Sequence, residues 1–305
     1  MRGLSLNCRG IGREQHLNAH AGKLDRPPGD RPNVANILDR IIADKRREVD
    51  LAKSTVPVDS LIDQAEQSPR PRNFFKAVTS QNAHINVIAE VKKASPSAGL
   101  IREDFDPVAI ARQYHHAGAV AISCLTDRKY FQGELAYLQQ IRAEIPLPVL
   151  RKDFIVDPYQ LYESRVHGAD AVLLIADCLT EGQLVDLLIL ATQLQLTALI
   201  EVHDIDALLR VRPHVGFPHA GYCLLGINNR DLRTMTTDLN HTMRLVDMVE
   251  DTSILVSESG IRTHDDVRRL QEVGVRAVLV GEHLMRQEDP GSALRSLIRG
   301  DPPPG

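Results

Sequence analysis

The strongest constraint on the fold is a repeat of short apolar runs, each followed by a longer segment with helical periodicity. Eight such units follow His84. Their apolar runs begin, at intervals of 23 to 34 residues, near Asn86, Val120, Pro148, Ala171, Ala198, Leu224, Ile254 and Ala277. Continuous apolar runs are typical of strands buried on both faces, as in a parallel sheet. Eight successive βα units favour a (β/α)8 barrel, or TIM barrel; a doubly wound sheet is the alternative.

Glycines precede several of these runs. Gly118, Gly168 and Gly274 each lie a few residues before a predicted strand, where a helix should end and the chain should turn. No G-x-G-x-x-G motif follows the first strand. The sequence therefore gives no support for dinucleotide binding.

The segments flanking the repeat differ from it. Residues 1–33 are rich in Gly, Pro and Arg without apolar periodicity, so we expect a flexible leader, and residues 301–305 predict a disordered tail. The catalytic domain is expected to span 34–300, with an N-terminal helical extension before the barrel. The expected apolar face of its first helix consists of Ile37, Leu38, Ile41, Ile42, Val49 and Leu51. A solvated basic face is expected at Arg40, Lys45, Arg46 and Arg47. Phe74 and Phe75 are expected to pack onto the barrel.

Composition narrows the classes of partner. Lys and Arg number 36 against 40 Asp and Glu, so the net charge of -4 gives no general attraction to nucleic acid or to an anionic membrane. No apolar run approaches the roughly 20 residues of a membrane-spanning helix. The isolated Cys8, Cys124, Cys178 and Cys223 predict reduced thiols without a disulfide framework or zinc site. We expect a cytoplasmic protein that binds neither nucleic acid nor membrane.

Charged and amide side chains interrupt the apolar runs at their ends, where a barrel of this kind has its active site. Glu90 and Lys92 are two residues apart, so they should point together into the barrel mouth. Lys152, Glu201 and Glu258 end later runs. A purely structural ion network is the alternative interpretation. Polar residues at six strand ends favour a functional one.

The last two strands point to an anion site. Ser259-Gly260 and Gly281 put small residues after strands seven and eight, where this fold often binds phosphate. His203 and His283 lie near the predicted mouth, yet no other His stands at metal-ligand spacing. We therefore expect no metal site.

The motifs resemble those of the indole-3-glycerol phosphate synthase family. The similarity extends from about Asn36 to Ile298. It is carried by Ile88–Ser97, Leu125–Gly133, Arg151–Val156, Gly168–Ile175, Leu199–Val202, Gly226–Leu232, Ser257–Ile261 and Gly281. The resemblance implies conversion of 1-(2-carboxyphenylamino)-1-deoxyribulose 5-phosphate into indole-3-glycerol phosphate, with loss of CO2 and water, in tryptophan biosynthesis. It implies no cofactor, because the iminium formed from the substrate itself accepts the electrons of decarboxylation.

The resemblance also assigns roles to individual residues. The implied catalytic residues are Glu90, Lys92, Lys152, Glu201, Asn228 and Ser259. The implied substrate- and phosphate-binding residues are Ser95, Arg230, Glu258, Gly260, Gly281 and Glu282. Lys152 is implied as the general acid of ring closure and Glu201 as a proton-transfer residue; Lys92 is the other catalytic lysine. Nearby carboxylates would raise the pKa of such a lysine, whereas burial and the second lysine would lower it. The sequence leaves this balance open.

Three other functions remain open at this point. They are a phosphosugar isomerase, an aldolase that forms a Schiff base on Lys152, and a barrel that binds a phosphorylated metabolite without turnover. The last would be expected to lack Lys152 or Glu201, and both are present. No second catalytic module fits the chain, and the expected partner is a small phosphorylated substrate. The sequence leaves the oligomeric state open, with a monomer as one possibility.

Overall fold

The computed structural model describes residues 37–231 and 236–300, and its centre is a closed barrel of eight parallel strands. The strands are β1 Asn86–Val91, β2 Ala121–Leu125, β3 Val149–Lys152, β4 Ala171–Ile175, β5 Thr197–Val202, β6 Cys223–Asn228, β7 Leu255–Glu258 and β8 Ala277–Val280. Each strand pairs with its neighbours in chain order, and β8 closes the barrel on β1. The predicted (β/α)8 fold is confirmed, and every strand begins within one residue of its predicted start.

Thirteen helices precede or alternate with these strands in the part of the chain described. They are α1 Ile37–Thr55, α2 Val58–Gln67, α3 Phe74–Thr79, α4 Pro107–Ala117, α5 Arg128–Phe131, α6 Ala136–Glu144, α7 Tyr159–Val166, α8 Glu181–Gln193, α9 Ile205–Val211, α10 Asn240–Leu245, α11 His264–Glu272, α12 Glu282–Met285 and α13 Pro290–Arg299. Gly118, Gly168 and Gly274 end or closely follow α4, α7 and α11 with φ of 101°, 79° and 90°. These left-handed conformations confirm the predicted turns into β2, β4 and β8.

Side-chain alternation divides the core into two layers. One layer lies between the strands and the surrounding helices, and the other fills the barrel interior. Phe74 and Val78 of α3 belong to the interior layer, and both are fully buried. The side-chain amide of Asn86, at the start of β1, donates to the carbonyl oxygen of Val78 over 2.8 Å. Helix α3 therefore closes the end of the barrel where the strands begin, and Phe74 packs as predicted.

Helix α1 lies across the opposite end, and Ile41 and Ile42 pack into the interior layer. The prediction that Lys45 belongs to a solvated basic face was wrong, because this side chain is only 1% exposed. Lys45 follows Ile41 by four residues and therefore shares its face. Its ammonium lies 3.0 Å from carboxylate oxygens of both Asp127 and Asp153.

The opposite error concerns Leu51, which was expected on the apolar face. Leu51 is 69% exposed, because it follows the buried Val49 by two residues and therefore points to the other side of the helix. The rest of the predicted basic face is exposed, at Arg40, Arg46 and Arg47.

The predicted leader (1–33) and tail (301–305) lie outside the described residues. Within 37–231 and 236–300, no helix has both the length and the apolar character needed to cross a bilayer.

Candidate active site

The charged strand-end residues face the barrel interior because side chains alternate along each strand. In four strands an apolar residue of the interior layer precedes a charged residue by two positions. The pairs are Ile88 and Glu90 in β1, Leu150 and Lys152 in β3, Leu199 and Glu201 in β5, and Val256 and Glu258 in β7. Alternate strands of such a barrel contribute to the same layer. A layer of four ionisable groups thus lies above the apolar interior.

A cavity of about 410 Å³ opens above this layer. The residues predicted from the sequence all line it: Glu90, Lys92, Ser95, Lys152, Glu201, Asn228, Arg230, Glu258, Ser259, Gly260, Gly281 and Glu282. They come from strands β1, β3, β5, β6 and β7 and from the loops that follow β1, β6, β7 and β8. The fold therefore brings together groups that are as far apart as β1 and β8 in the sequence.

Lys152 is the central cation of this cavity. Its ammonium nitrogen Nζ lies 2.8 Å from Oε2 of Glu201 and 3.6 Å from Oε2 of Glu258. Burial disfavours the charged ammonium, but the carboxylates of Glu201, Glu258 and Glu90 outweigh burial and raise the pKa of Lys152 above its ordinary value. The balance that the sequence left open is thus decided by the carboxylates, and Lys152 is protonated at neutral pH.

The pKa values of Glu201 and Glu258 shift in opposite directions although both side chains are buried. Burial opposes ionisation of Glu201, yet Lys152 and His203 lower its pKa well below the ordinary range. For Glu258, burial and the negative charge of Glu201 raise the pKa well above that range. Of the two carboxyl groups near Lys152, Glu258 therefore holds a proton more tightly than Glu201 does.

Lys92 and Glu90 form a second ion pair, with Nζ 2.5 Å from Oε1. Glu90 packs against the backbone of Gly281, and a Cβ added to Gly281 would lie 2.9 Å from both Cβ and Cδ of Glu90. Such distances are too short for carbon atoms. The glycine at the end of β8 is therefore required for Glu90 to occupy its position.

Arginines gather at the side of the cavity formed by the loops after β6, β7 and β8. Arg230 contacts Oε2 of Glu282 at 2.9 Å and also donates to Oγ of Ser97. Glu282 accepts from Arg286 as well, and although burial disfavours its charge, the two arginines lower its pKa. Arg262 lines the same part of the cavity. The guanidinium groups of Arg230, Arg262 and Arg286 outnumber the carboxylate of Glu282 on this side of the cavity. The resulting net positive charge suits a phosphate.

The backbone beside these arginines has an unusual conformation. Ser259 has φ of 67° and Gly260 has φ of 80°, both in the left-handed region. A Cβ on Gly260 would lie 2.7 Å from Cγ2 of Thr237. Asn229 supports the turn, because its side-chain amide donates to the carbonyl oxygen of Ser259 over 3.1 Å.

Sequence reasoning missed the apolar part of the cavity. Ile37, Leu38 and Ile41 of α1 line it, together with Phe131 and Phe154, whose ring centroids are 6.0 Å apart. The apolar face of α1 was recognised in the sequence, but only the fold shows that it covers the mouth of the barrel. The aromatic pair and α1 provide a surface on which an aryl ring can lie.

Also missed were Arg262, Arg286 and a contact behind Glu201. His203 Nε2 lies 3.1 Å from Oε1 of Glu201, and His203 Nδ1 lies 2.9 Å from Oδ2 of Asp177. An isolated histidine gave no motif. In 37–231 and 236–300, no cluster of three or more His, Cys, Asp or Glu residues is arranged to hold a metal ion.

Comparisons with known proteins agree with this geometry. The family model described as indole-3-glycerol phosphate synthase matches residues 38–297. A protein of that name from Rhodopirellula baltica is 48% identical over 86% of this chain and 98% of its own length. Another, from Rhodospirillum rubrum, is 45% identical over 87% of this chain and all of its own length.

Solved structures share the fold at low sequence identity. A 3-hexulose-6-phosphate synthase from Salmonella typhimurium superposes with a TM-score of 0.55 and 14% identity, over 70% of this chain and 96% of its own. The tryptophan synthase alpha subunit from Legionella pneumophila gives a TM-score of 0.54 and 14% identity, over 74% and 97% of the two chains. At such identity the similarity concerns the barrel alone.

Proposed function

The chain belongs to the indole-3-glycerol phosphate synthase family, and we propose that the ionisable groups at its barrel mouth divide the steps of that reaction among them. The enzyme is a carboxy-lyase of tryptophan biosynthesis. It closes the pyrrole ring of indole-3-glycerol phosphate from 1-(2-carboxyphenylamino)-1-deoxyribulose 5-phosphate and releases CO2 and water. The observation that carries the proposal is the 2.8 Å contact between Lys152 Nζ and Oε2 of Glu201 on the floor of the cavity, where the pKa of Lys152 is raised and that of Glu201 is lowered.

Ring closure needs an acid. The aryl carbon that bears the carboxylate attacks the ketone carbon, and negative charge develops on the ketone oxygen. In our proposal Lys152 donates its proton to that oxygen. The raised pKa of Lys152 keeps the proton available at neutral pH, and the ionised Glu201 orients the ammonium.

Decarboxylation and dehydration follow. Loss of CO2 restores the aromatic ring, with the substrate's iminium accepting the electrons. Dehydration requires a base on the anilino side and an acid at the departing hydroxyl. Glu201 is the proposed base, because it is ionised and faces the cavity. Glu90 holds Lys92, the second catalytic lysine, in the ion pair described above.

The two sides of the cavity suit the two ends of the substrate. We propose that the aryl ring lies against α1 and Phe131, and that Lys92, Ser95 and Arg230 engage the anionic ends. Asn228 and Ser259 orient the substrate and its hydroxyls. The phosphate is held by backbone groups at Gly260, Gly281 and Glu282, beside the surrounding arginines.

Other features of the proposal concern the setting of the enzyme. All proposed groups come from one chain, so a monomer should suffice. We propose that the reaction proceeds without added metal or nucleotide, and without nucleic acid or membrane. The described cysteines, Cys124, Cys178 and Cys223, are free. Free thiols fit the proposed location in the cytoplasm.

The first test is substitution of Lys152 by Ala, assayed by the appearance of indole fluorescence. General acid catalysis contributes about 10²- to 10⁴-fold, so we expect a loss of kcat of at least that size with product binding retained. Lys76→Ala is the matched control, because Lys76 is exposed on α3 at the other end of the barrel. Comparable turnover in Lys152→Ala and Lys76→Ala would refute the assigned role.

An aldolase-like mechanism is separable by chemistry. Borohydride reduction in the presence of substrate would covalently label a lysine that forms a Schiff base. We expect no label on Lys152, because our proposal uses its ammonium as an acid and not its amine as a nucleophile.

A further inference from the structure

A line of ionisable groups in close contact leads from the floor of the cavity towards the surface. Lys152 Nζ contacts Oε2 of Glu201 at 2.8 Å, and the other carboxylate oxygen, Oε1, lies 3.1 Å from Nε2 of His203. His203 Nδ1 lies 2.9 Å from Asp177 Oδ2. Exposure rises along this line behind Glu201, from 2% for the Glu201 side chain to 8% for His203 and 31% for Asp177. Neither His203 nor Asp177 lines the cavity.

The reaction consumes protons from this region. Ring closure places one proton on the ketone oxygen, and departure of the hydroxyl as water requires a second. One proton returns from the anilino side during dehydration. Because the substrate carboxylate leaves as neutral CO2, each turnover takes up one proton in total. Lys152 by itself can donate only one proton. A bound substrate occupies the cavity through which solvent could protonate Lys152 again.

We propose that His203 is a proton reservoir for the Glu201–Lys152 pair and supplies the second acid equivalent within the turnover. This inference rests on the proposed function of Lys152 and Glu201. His203 and Asp177 do not touch the substrate and act through Glu201.

The proton balance closes in four steps. Lys152 protonates the ketone oxygen and becomes a neutral amine. The Nε2 proton of His203 passes through the carboxyl group of Glu201 to that amine, and His203 becomes neutral with its remaining proton facing Asp177. The recharged Lys152 protonates the departing hydroxyl, which leaves as water. Glu201 takes a proton from the anilino side and returns it to Lys152, and His203 recovers one proton from solvent after the product leaves.

The surroundings of His203 favour its protonated, positively charged form. Burial disfavours the imidazolium, but Asp177 and Glu201 outweigh burial and raise the pKa of His203 to about 10. A raised pKa means that the charge is present at neutral pH and is lost only as the pH rises through about 10. The third titratable group facing His203 is His241 of α10, whose pKa is lowered by burial and by Arg244. His241 is therefore neutral at neutral pH and does not oppose the charge on His203.

The test separates the two acid-dependent steps. In single turnovers with enzyme in excess, CO2 release reports ring closure and indole fluorescence reports dehydration. For His203→Gln we expect CO2 release at the wild-type rate, because the first proton is already on Lys152. Indole formation should fall about 100-fold, the size of a general-acid contribution. Asp177→Asn should slow indole formation to a smaller extent, because it removes one of the two carboxylates that stabilise the imidazolium of His203.

Asp206→Asn is the control, since Asp206 is an exposed carboxylate on the neighbouring α9. Unchanged indole formation in His203→Gln would overturn the proposal and assign the second proton to another group, such as Lys92. Equal slowing of CO2 release and indole formation would also overturn it, because a structural role would affect both steps. If His203→Gln does not fold, the surface substitution Asp177→Asn provides the test, through its rates of CO2 release and of indole formation. Failure of the proposed function would look different, since the wild-type enzyme would then yield neither product.

Discussion

Replacement of Lys45 by Met should destabilise the protein far more than an ordinary surface substitution. The ammonium of Lys45 lies 2.9 to 3.0 Å from carboxylate oxygens of Glu48, Asp127 and Asp153. The Asp127 and Asp153 side chains are 2% and 1% exposed. Methionine preserves much of the shape of lysine but removes the charge. In the variant Asp153 would keep its contact with Arg151 at 3.0 Å, whereas the carboxylate of Asp127 would keep the backbone N–H of Tyr130 as a donor but lose its cation.

Removal of one partner from a buried ion pair costs about 3–5 kcal/mol, because it leaves a charge buried without compensation. At about 2.1 cal/mol/K per residue, the entropy of unfolding of a barrel this size is about 0.55 kcal/mol/K. Each kcal/mol therefore lowers Tm by about 2 °C, and we expect a decrease of about 6–10 °C. Thermal unfolding followed by circular dichroism measures it. Lys53→Met on the same helix is the control. Lys53 is 40% exposed and pairs with Asp157 at 2.7 Å, so its loss should cost under about 1 kcal/mol.

The pH dependence provides an internal check. Burial opposes ionisation of Asp153, but Lys45 and Arg151 lower its pKa below the ordinary value of 3.8. The stabilisation from this carboxylate is therefore present above pH 3.8 and is lost as the pH falls through the lowered pKa. The Tm difference between wild type and Lys45→Met should narrow at low pH, where protonation relieves the unpaired charge. Asp127→Asn in the Lys45→Met background should restore part of the stability. Equal Tm values for Lys45→Met and Lys53→Met would refute this reasoning.

Three further substitutions and one control test the arrangement of groups at the barrel mouth. The pKa of Glu258 is raised and that of Glu201 is lowered, so loss of the negative charge should matter less at Glu258. Glu258→Gln should therefore retain most of kcat, whereas Glu201→Gln should lower kcat by about 10²- to 10⁴-fold. Gly281→Ala should lower kcat by about 100-fold, because the added Cβ would displace Glu90. Gly182→Ala is the control. No atom lies within 4 Å of its added Cβ, so kcat should be unchanged. Steady-state fluorescence assays measure all four variants. Equal losses in the two Gln variants, or a fully active Gly281→Ala enzyme, would contradict these expectations.

Much of the architecture could be predicted from local patterns. Strand starts followed from apolar runs such as the one at Ala171, because strands of a parallel barrel are buried on both faces. Gly118, Gly168 and Gly274 marked helix ends, because glycine adopts the left-handed conformation at little cost. Charged residues at strand ends, such as Glu201, stood out against these runs, and the fold brings them to one cavity.

Other features depend on contacts between distant segments and could not be predicted. Lys45 is buried only because Asp127 and Asp153, more than 80 positions later, supply charges that compensate its burial. The direction of the pKa shift of Lys152 required distances to carboxylates on other strands. The sequence placed His203 near the predicted mouth but did not reveal its partners. Its contact with Glu201 depends on the path of the chain after β5, and its contact with Asp177 depends on the end of β4.

The most direct test of the account compares CO2 release with indole formation in Lys152→Ala and Glu201→Gln. If Lys152 is the acid of ring closure and Glu201 the base of dehydration, Lys152→Ala should release neither product. Glu201→Gln should release CO2 while indole formation fails. CO2 release by Lys152→Ala at the wild-type rate, or proportional loss of CO2 and indole in Glu201→Gln, would contradict the assignment of the two steps to these residues.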